Sequence, residues 1–163
     1  MSPFWTYFWP VFALGIALGL VAGIIGFRWN HRWIWAAAAV LAVGGAGLWH
    51  GPIGGADRFT RSVEASAQET LANYEMTQVT ARLHRSPLTR RLLLSGQADD
   101  FQRSQLVLIL SDLPGVSGAT WSRSGGIPLL LEAAVVAIVG FLAGLLLAYL
   151  IELRRRYNAQ WKW

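Results

Sequence analysis

In this chain of 163 residues, 54% are hydrophobic and only 14% charged, against about 25% charged in a typical soluble chain. That excludes an ordinary soluble domain, because too few polar groups remain to cover a water-facing surface, and it turns much of the chain toward lipid. The lack of cysteine excludes disulfides, thiolate metal sites, iron–sulfur clusters, c-type haem attachment and a lipid-modified N-terminal Cys, while the net charge of +5 takes its meaning from where the cations lie.

The first apolar run, Phe4 to Phe27, holds 24 residues without a charge. A helix of that length extends about 36 Å, enough to cross a hydrocarbon core of about 30 Å with tilt. Pro10 falls early in it, where a local kink is tolerated. A polar break, Arg28-Trp29-Asn30-His31-Arg32, leads to a second run, Trp33 to Trp49, rich in Ala and Gly and near the short limit for a span. The two read as a tight helical hairpin. A third span opens with Ile127-Pro128, a proline suited to a helix start. It stays uncharged from Ala133 to Ile151 and ends in Glu152-Leu153-Arg154-Arg155-Arg156. The expected organisation is two transmembrane helices in 1–50 (about 4–27 and 33–49), a folded segment at 51–126, and a third transmembrane helix at about 127–153 with a basic tail to 163. Nearly all of the nine Trp sit beside the apolar runs, as amphipathic rings do at a membrane interface. The opening Met1-Ser2-Pro3-Phe4-Trp5 lacks the positive stretch of a cleavable signal.

Orientation follows from Lys and Arg. With three spans, the hairpin loop and the C-terminal tail share a side, and together they hold six cations: Arg28, Arg32, Arg154, Arg155, Arg156 and Lys162. The N-terminal tail has none, and 51–126 is near neutral, with eight Arg against seven acids. The positive-inside rule then puts the loop and tail in the cytoplasm, and the N-terminus and the middle segment outside. The basic excess is a topology signal and not a nucleic-acid footprint.

The middle segment opens with Gly51-Pro52-Ile53-Gly54-Gly55, a turn-rich exit. Asp57 is placed to cap a helix to about Glu75, with Phe59, Val63, Ala67, Leu71 and Tyr74 at helical spacing. Gln78–Arg85 alternates, Val79, Ala81 and Leu83 on one face and Thr80, Arg82 and His84 on the other, as a half-buried strand does. Ser86-Pro87 marks a turn, and Arg90–Ser95 reads as a second strand ending at Gly96. Asp99 or Asp100 caps a second helix, Phe101 to Leu113, stopped by Pro114-Gly115. Val116–Ser122 gives a last strand. The order predicts a small α+β sandwich, with a core of Phe59, Val63, Leu71, Leu83, Leu94, Phe101, Leu106, Ile109 and Val116.

The run Leu92-Leu93-Leu94-Ser95-Gly96-Gln97-Ala98, then a helix, then Leu113-Pro114-Gly115-Val116-Ser117-Gly118-Ala119 resembles the core of a BON domain, over roughly Asp57–Arg123. The resemblance implies an αββαβ fold with a strand–Gly turn into the second helix and a helix–Gly-Val turn into the last strand. It further implies a bacterial envelope protein that binds phospholipid or a partner and does not catalyse. Here the domain stands as a single copy between membrane spans.

No catalytic, cofactor-binding or metal-ligating set is read from the residues. Asp99-Asp100 suits the positive end of a helix better than an acid–base pair. His84 is the one His of 51–126 and has no nucleophile elbow near it. His31 and His50 flank the second span at opposite membrane faces, which does not suit haem ligation. Glu132, one turn into the third span, is the candidate intramembrane ionisable group, with His50 expected at a similar depth. Gly15, Gly19 and Gly23 repeat every four residues on the first span, and Gly140, Gly144 and Ala148 on the third. Such stripes admit close helix packing within the chain or against a partner helix.

Arg82, His84, Arg85, Arg90 and Arg91 fall within ten residues and form the candidate contact for lipid or a partner, since cations near a bilayer meet anionic headgroups. The expected protein is a non-catalytic bacterial inner-membrane protein that presents a periplasmic BON-like domain to membrane lipids or to other membrane or periplasmic proteins. The alternative is a small accessory subunit of a larger respiratory or photosynthetic membrane complex, in which the helices do the binding.

Overall fold

The structure is a computed structural model and describes residues 2–29, 32–122 and 125–160. Asn30 and His31 of the hairpin loop, Arg123 and Ser124 of the return linker, and residues 1 and 161–163 at the termini, Lys162 among them, lie outside the described residues. The elements in chain order are α1 (Pro3–Trp29), α2 (Arg32–His50), α3 (Gly55–Asn73), β1 (Val79–Arg85), β2 (Leu88–Gly96), α4 (Asp100–Ser111), β3 (Gly118–Thr120) and α5 (Leu129–Gln160). The chain is thus mostly helical with one small three-stranded sheet. α1, α2 and α5 are each long and apolar enough to cross a membrane. The chain divides into two compact units, one of Phe8–Ile53 with Ala133–Trp163, the other of Met1–Tyr7 with Gly54–Glu132.

The first unit is built from α1, α2 and α5, and small residues decide its packing. Gly15 and Gly19 of α1 lie against the backbone carbonyls of Ala137 and Phe141 on α5, and Gly140 and Gly144 of α5 lie against those of Phe12 and Ile16 on α1. A Cβ at Gly144 would come within 2.7 Å of the Leu20 nitrogen, closer than any side chain tolerates. One turn further, the place of a Cβ on Gly23 is taken by Ala148. Both glycine stripes read in the sequence are therefore consumed by the α1–α5 contact, where backbones approach closely enough for Cα–H···O contacts. Gly26 makes room for the Trp35 indole of α2, and Ala22, Ala38 and Phe141 form a buried cluster flanked by Leu18, Ile34 and Leu145. Large apolar side chains such as Val40, Leu41, Leu142 and Leu146 point outward, on helices long and apolar enough to cross a membrane.

The second unit has the element order α3-β1-β2-α4-β3, and it takes in the first turns of α1 and α5 as well. The sheet order is β1-β2-β3, with β1 and β2 antiparallel and β2 and β3 parallel. Val79, Ala81 and Leu83 of β1 alternate inward and meet Leu92 and Leu94 of β2; α3 contributes Phe59, Val63, Ala67 and Leu71, and α4 contributes Leu106 and Leu110. These buried residues define the helix-covered face of the sheet, and the period of two on strands and 3.6 on helices is what brings them there. Gly115 turns the chain at φ +101° and lies on Phe59 and Val63, where a Cβ would sit 3.3 Å from each ring or methyl. Only glycine combines that conformation with that closeness. From α1, Tyr7 is buried with its ring 5.5 Å from that of Phe59.

Several expectations need correction here. Phe101 is 72% exposed and outside the core. Asp99 sets the start of α4 through a complete capping box with Gln102, and the burial of Leu106 and Leu110 sets which face meets the sheet. Leu110 then faces the sheet, while Phe101, nine residues earlier, points about 180° away. Ile109 is half-buried, and Tyr74 lies at the exposed end of α3. Asp57 sits in the first turn of α3, whose cap is Gly54, without a side-chain bond. The last strand keeps only Gly118–Thr120, and α5 runs on through the basic stretch to Gln160.

Candidate functional site

The sheet has a second face that neither α3 nor α4 covers. Because β-strand side chains alternate, it carries Thr80 and Arg82 from β1 and Arg91, Leu93 and Ser95 from β2. Cross-strand register orders them. Thr80 pairs with Ser95, and their hydroxyl oxygens lie 2.8 Å apart. Arg82 pairs with Leu93, which in turn lies beside Thr120 of β3. Arg91 neighbours Gly118. Arg82 is exposed and has no ion-pair partner among the described residues. A groove of about 740 Å³ opens here, lined by Arg82, Leu93, Ser95 and Trp121 with Glu64 and Arg85 at the β1 side. Trp121 is fixed at its rim: the indole Nε1 donates to the Arg103 carbonyl at 3.2 Å, and the Arg103 guanidinium lies 5.2 Å from the ring centre. A cation, hydroxyls, one leucine and one indole together suit an anionic group joined to an apolar one.

The sheet edge is closed by side chains. The outward N–H of Leu83 donates to Glu64 Oε1 at 3.0 Å, and Gln68, one turn along α3, reaches the Ala81 carbonyl at 3.5 Å. At β3, the Ala119 N–H donates to the Ser111 hydroxyl at 3.0 Å. Open edges invite strand addition, and these contacts leave the face, not the edge, as the surface for recognition.

The five basic residues read as one contact divide four ways. Arg82 and Arg91 share the uncovered face. His84 sits where the β1–β2 register shifts, its Nδ1 2.9 Å from the Pro87 carbonyl. Arg85 is ion-paired to Glu64 at 3.2 Å. Arg90 belongs to the covered face, two residues from Leu92, and is tied down there: its Nε lies 2.6 Å from Glu132 Oε2, and its guanidinium lies 5.4 Å from the Phe4 ring centre. Glu132 is thus the anion of a half-buried ion pair that holds the first turn of α5 to β2, with Thr89 bridging to Pro128 beside it. His50 closes α2, in the other unit. Among the described residues no group of three His, Cys, Asp or Glu is arranged to hold a metal ion.

Leu93, Ser95 and Trp121 were not singled out as site residues by the sequence. Within Leu92-Leu93-Leu94 nothing local says which leucine faces outward; only pairing with Ala81–Leu83 does. Outward alternation of Thr80 and Arg82, by contrast, was visible in the pattern of β1.

No protein-family model, no curated protein and no solved structure matches the chain. The fold itself defines a class, a membrane-associated protein with three helices long and apolar enough to cross a membrane and a small α+β module built on a three-stranded sheet.

Proposed function

We propose that this chain is a non-catalytic anchor of the bacterial inner membrane, presenting a BON-like module on the periplasmic side to anionic lipid or to a protein partner. The observation that carries this reading is the uncovered sheet face, where Arg82, without an ion-pair partner among the described residues, lines a groove with Leu93 and Trp121. The order α3-β1-β2-α4-β3 supports the BON-like assignment. Six Lys and Arg in the hairpin loop and tail, against none before α1, support an N-terminus and module outside and a C-terminus inside. Reporter fusions after Ser122 and after Trp163 test that topology and should respond on opposite sides of the membrane.

The binding reading is tested on the full chain extracted in mild detergent from its own membranes. Wild type should retain anionic lipid or a stoichiometric protein, and Arg82→Ala with Arg91→Ala should lose it. Equal retention by both proteins sinks the reading.

A second reading, an accessory subunit of a larger membrane complex, is favoured by α2. Its Gly44 and Gly47 have nothing within 4 Å, and Val40 and Leu48 beside them are exposed. Small residues of this kind let a partner helix approach. In the same extraction, a stoichiometric membrane protein retained by the Arg82/Arg91 variant but lost on Gly44→Leu would establish it.

A further inference from the structure

The module presents a second unpartnered feature, at the start of α4. Phe101 projects its ring into solvent, and Asp100 beside it has no ion-pair partner among the described residues. Asp99 is engaged in the capping box, so Asp100 supplies the free anion of this tip. An exposed Phe next to an unpaired carboxylate is the complement of a groove that offers an unpaired guanidinium, a leucine and an indole.

We infer that the groove of one copy receives the Asp100–Phe101 tip of a second copy, with Asp100 meeting Arg82 and the Phe101 ring lying on Leu93 and Trp121. This rests on the reading of the uncovered face as a binding surface and names its occupant. Three observations favour a second copy. The charges are opposite in sign, and neither group has an ion-pair partner among the described residues. The edges that would join copies by strand addition are filled by Glu64, Gln68 and Ser111. Tip and groove are also neighbours, since Trp121 bonds to Arg103, two residues beyond Phe101. When a knob and its hole adjoin, a two-fold arrangement satisfies both at once, each tip entering the other groove, and the assembly closes as a dimer. Copies of this chain would share one bilayer. Restriction to the membrane plane then raises the effective concentration at which they meet.

The chain contains no cysteine, so introduced pairs report without background. Two differently tagged full-length copies, one Ser104→Cys at an exposed position one turn along α4 from Phe101 and one Ser95→Cys, are co-expressed and oxidised in their membranes. A mixed disulfide dimer is expected between them. Ser104→Cys with Ser62→Cys, on the exposed side of α3, should give little. Arg82→Asp in the Ser95→Cys copy should lower the yield about fivefold or more, and Asp100→Arg in the other copy should restore it; fivefold corresponds to about 1 kcal/mol. As a check independent of cysteine, the wild-type protein in mild detergent should have the mass of a dimer and Phe101→Ser that of a monomer. Equal cross-linking at Ser62 and Ser95, failure of the charge exchange to rescue, or a monomeric wild type would each overturn the inference. If the cross-link fails while Arg82→Ala still strips a bound lipid or another protein, the face is a binding surface whose occupant is not a second copy.

Discussion

The two units of this molecule are held together by opposite means. In the α3–α4 module, large side chains leave water: Phe59, Leu71, Leu92 and Leu110 fill the space between sheet and helices. In the unit of α1, α2 and α5, large side chains face outward and the contacts are made by what is missing, at Gly15, Gly19, Gly140 and Gly144. The difference follows from the solvent. In water, apolar burial is the main driving force. In lipid the surroundings are as apolar as Leu, so close backbone packing carries helix association instead. The same substitution logic therefore has opposite sign in the two units: removing bulk damages one, and adding bulk damages the other.

The largest effect should come from Leu110→Ala, at a side chain with no exposure. Such a truncation costs ~2–5 kcal/mol, a large share of what a small module without disulfides has. Limited proteolysis of the full chain should then cut within 55–120, while α1 and α5 stay protected by detergent. Unchanged resistance would mean that α4 does not pack as described.

Next is Gly19→Val, which drives a branched side chain into the Phe141 carbonyl. Overpacking of this kind costs ~1–3 kcal/mol, and here the backbones themselves must part. The expected outcome is loss of a disulfide engineered between α1 and α5, with the module's proteolysis pattern intact. If Gly19→Val instead leaves the α1–α5 cross-link in place, the contrast between the units fails.

Arg90→Ala is a smaller perturbation. It removes one partner of the ion pair with Glu132, whose side chains remain about one-fifth exposed, and a hydrogen bond to a charged group is worth ~1.5–3 kcal/mol before solvent screening reduces it. Replacing Glu132 as well, with Gln, should recover part of the loss, because the orphaned carboxylate is then gone. Thermal unfolding followed by proteolysis distinguishes the single and double variants; equal midpoints would show the pair to be without consequence for stability.

How much of this was readable in the sequence depends on the range of the interaction responsible. The three apolar helices were legible from run length alone, and the αββαβ order from period changes and the punctuation at Ser86-Pro87 and Pro114-Gly115. The glycine stripes were legible too, though not their mutual engagement. What escaped depends on long-range register. Arg90 looked like one more cation of a basic run, yet its partner Glu132 lies 42 residues on. Leu93 carried no role in the sequence reading, and pairing with Arg82 places it on the outward face. Helical spacing likewise told which residues of α4 share a face but not which face meets the sheet. The burial of Leu106 and Leu110 and the β3 contact through Ser111 settle that.

The smallest expected effect is on Phe101. As a core residue its truncation would cost ~3–5 kcal/mol; as the exposed second residue of α4 it should cost within about 0.5 kcal/mol either way. Phe101→Ser keeps the capping box, which is made by the side chains and backbone N–H groups of Asp99 and Gln102 alone, and it removes an apolar group from water. The unfolding midpoint of the module should therefore stay where it is, measured with the protein dilute enough to be monomeric. A midpoint that falls as far as that of Leu110→Ala would return Phe101 to the core and rotate α4 by half a turn. That rotation would bury the tip that the dimer requires and undo the α4–sheet contact, so this near-silent substitution tests the module's packing as sharply as the disruptive ones.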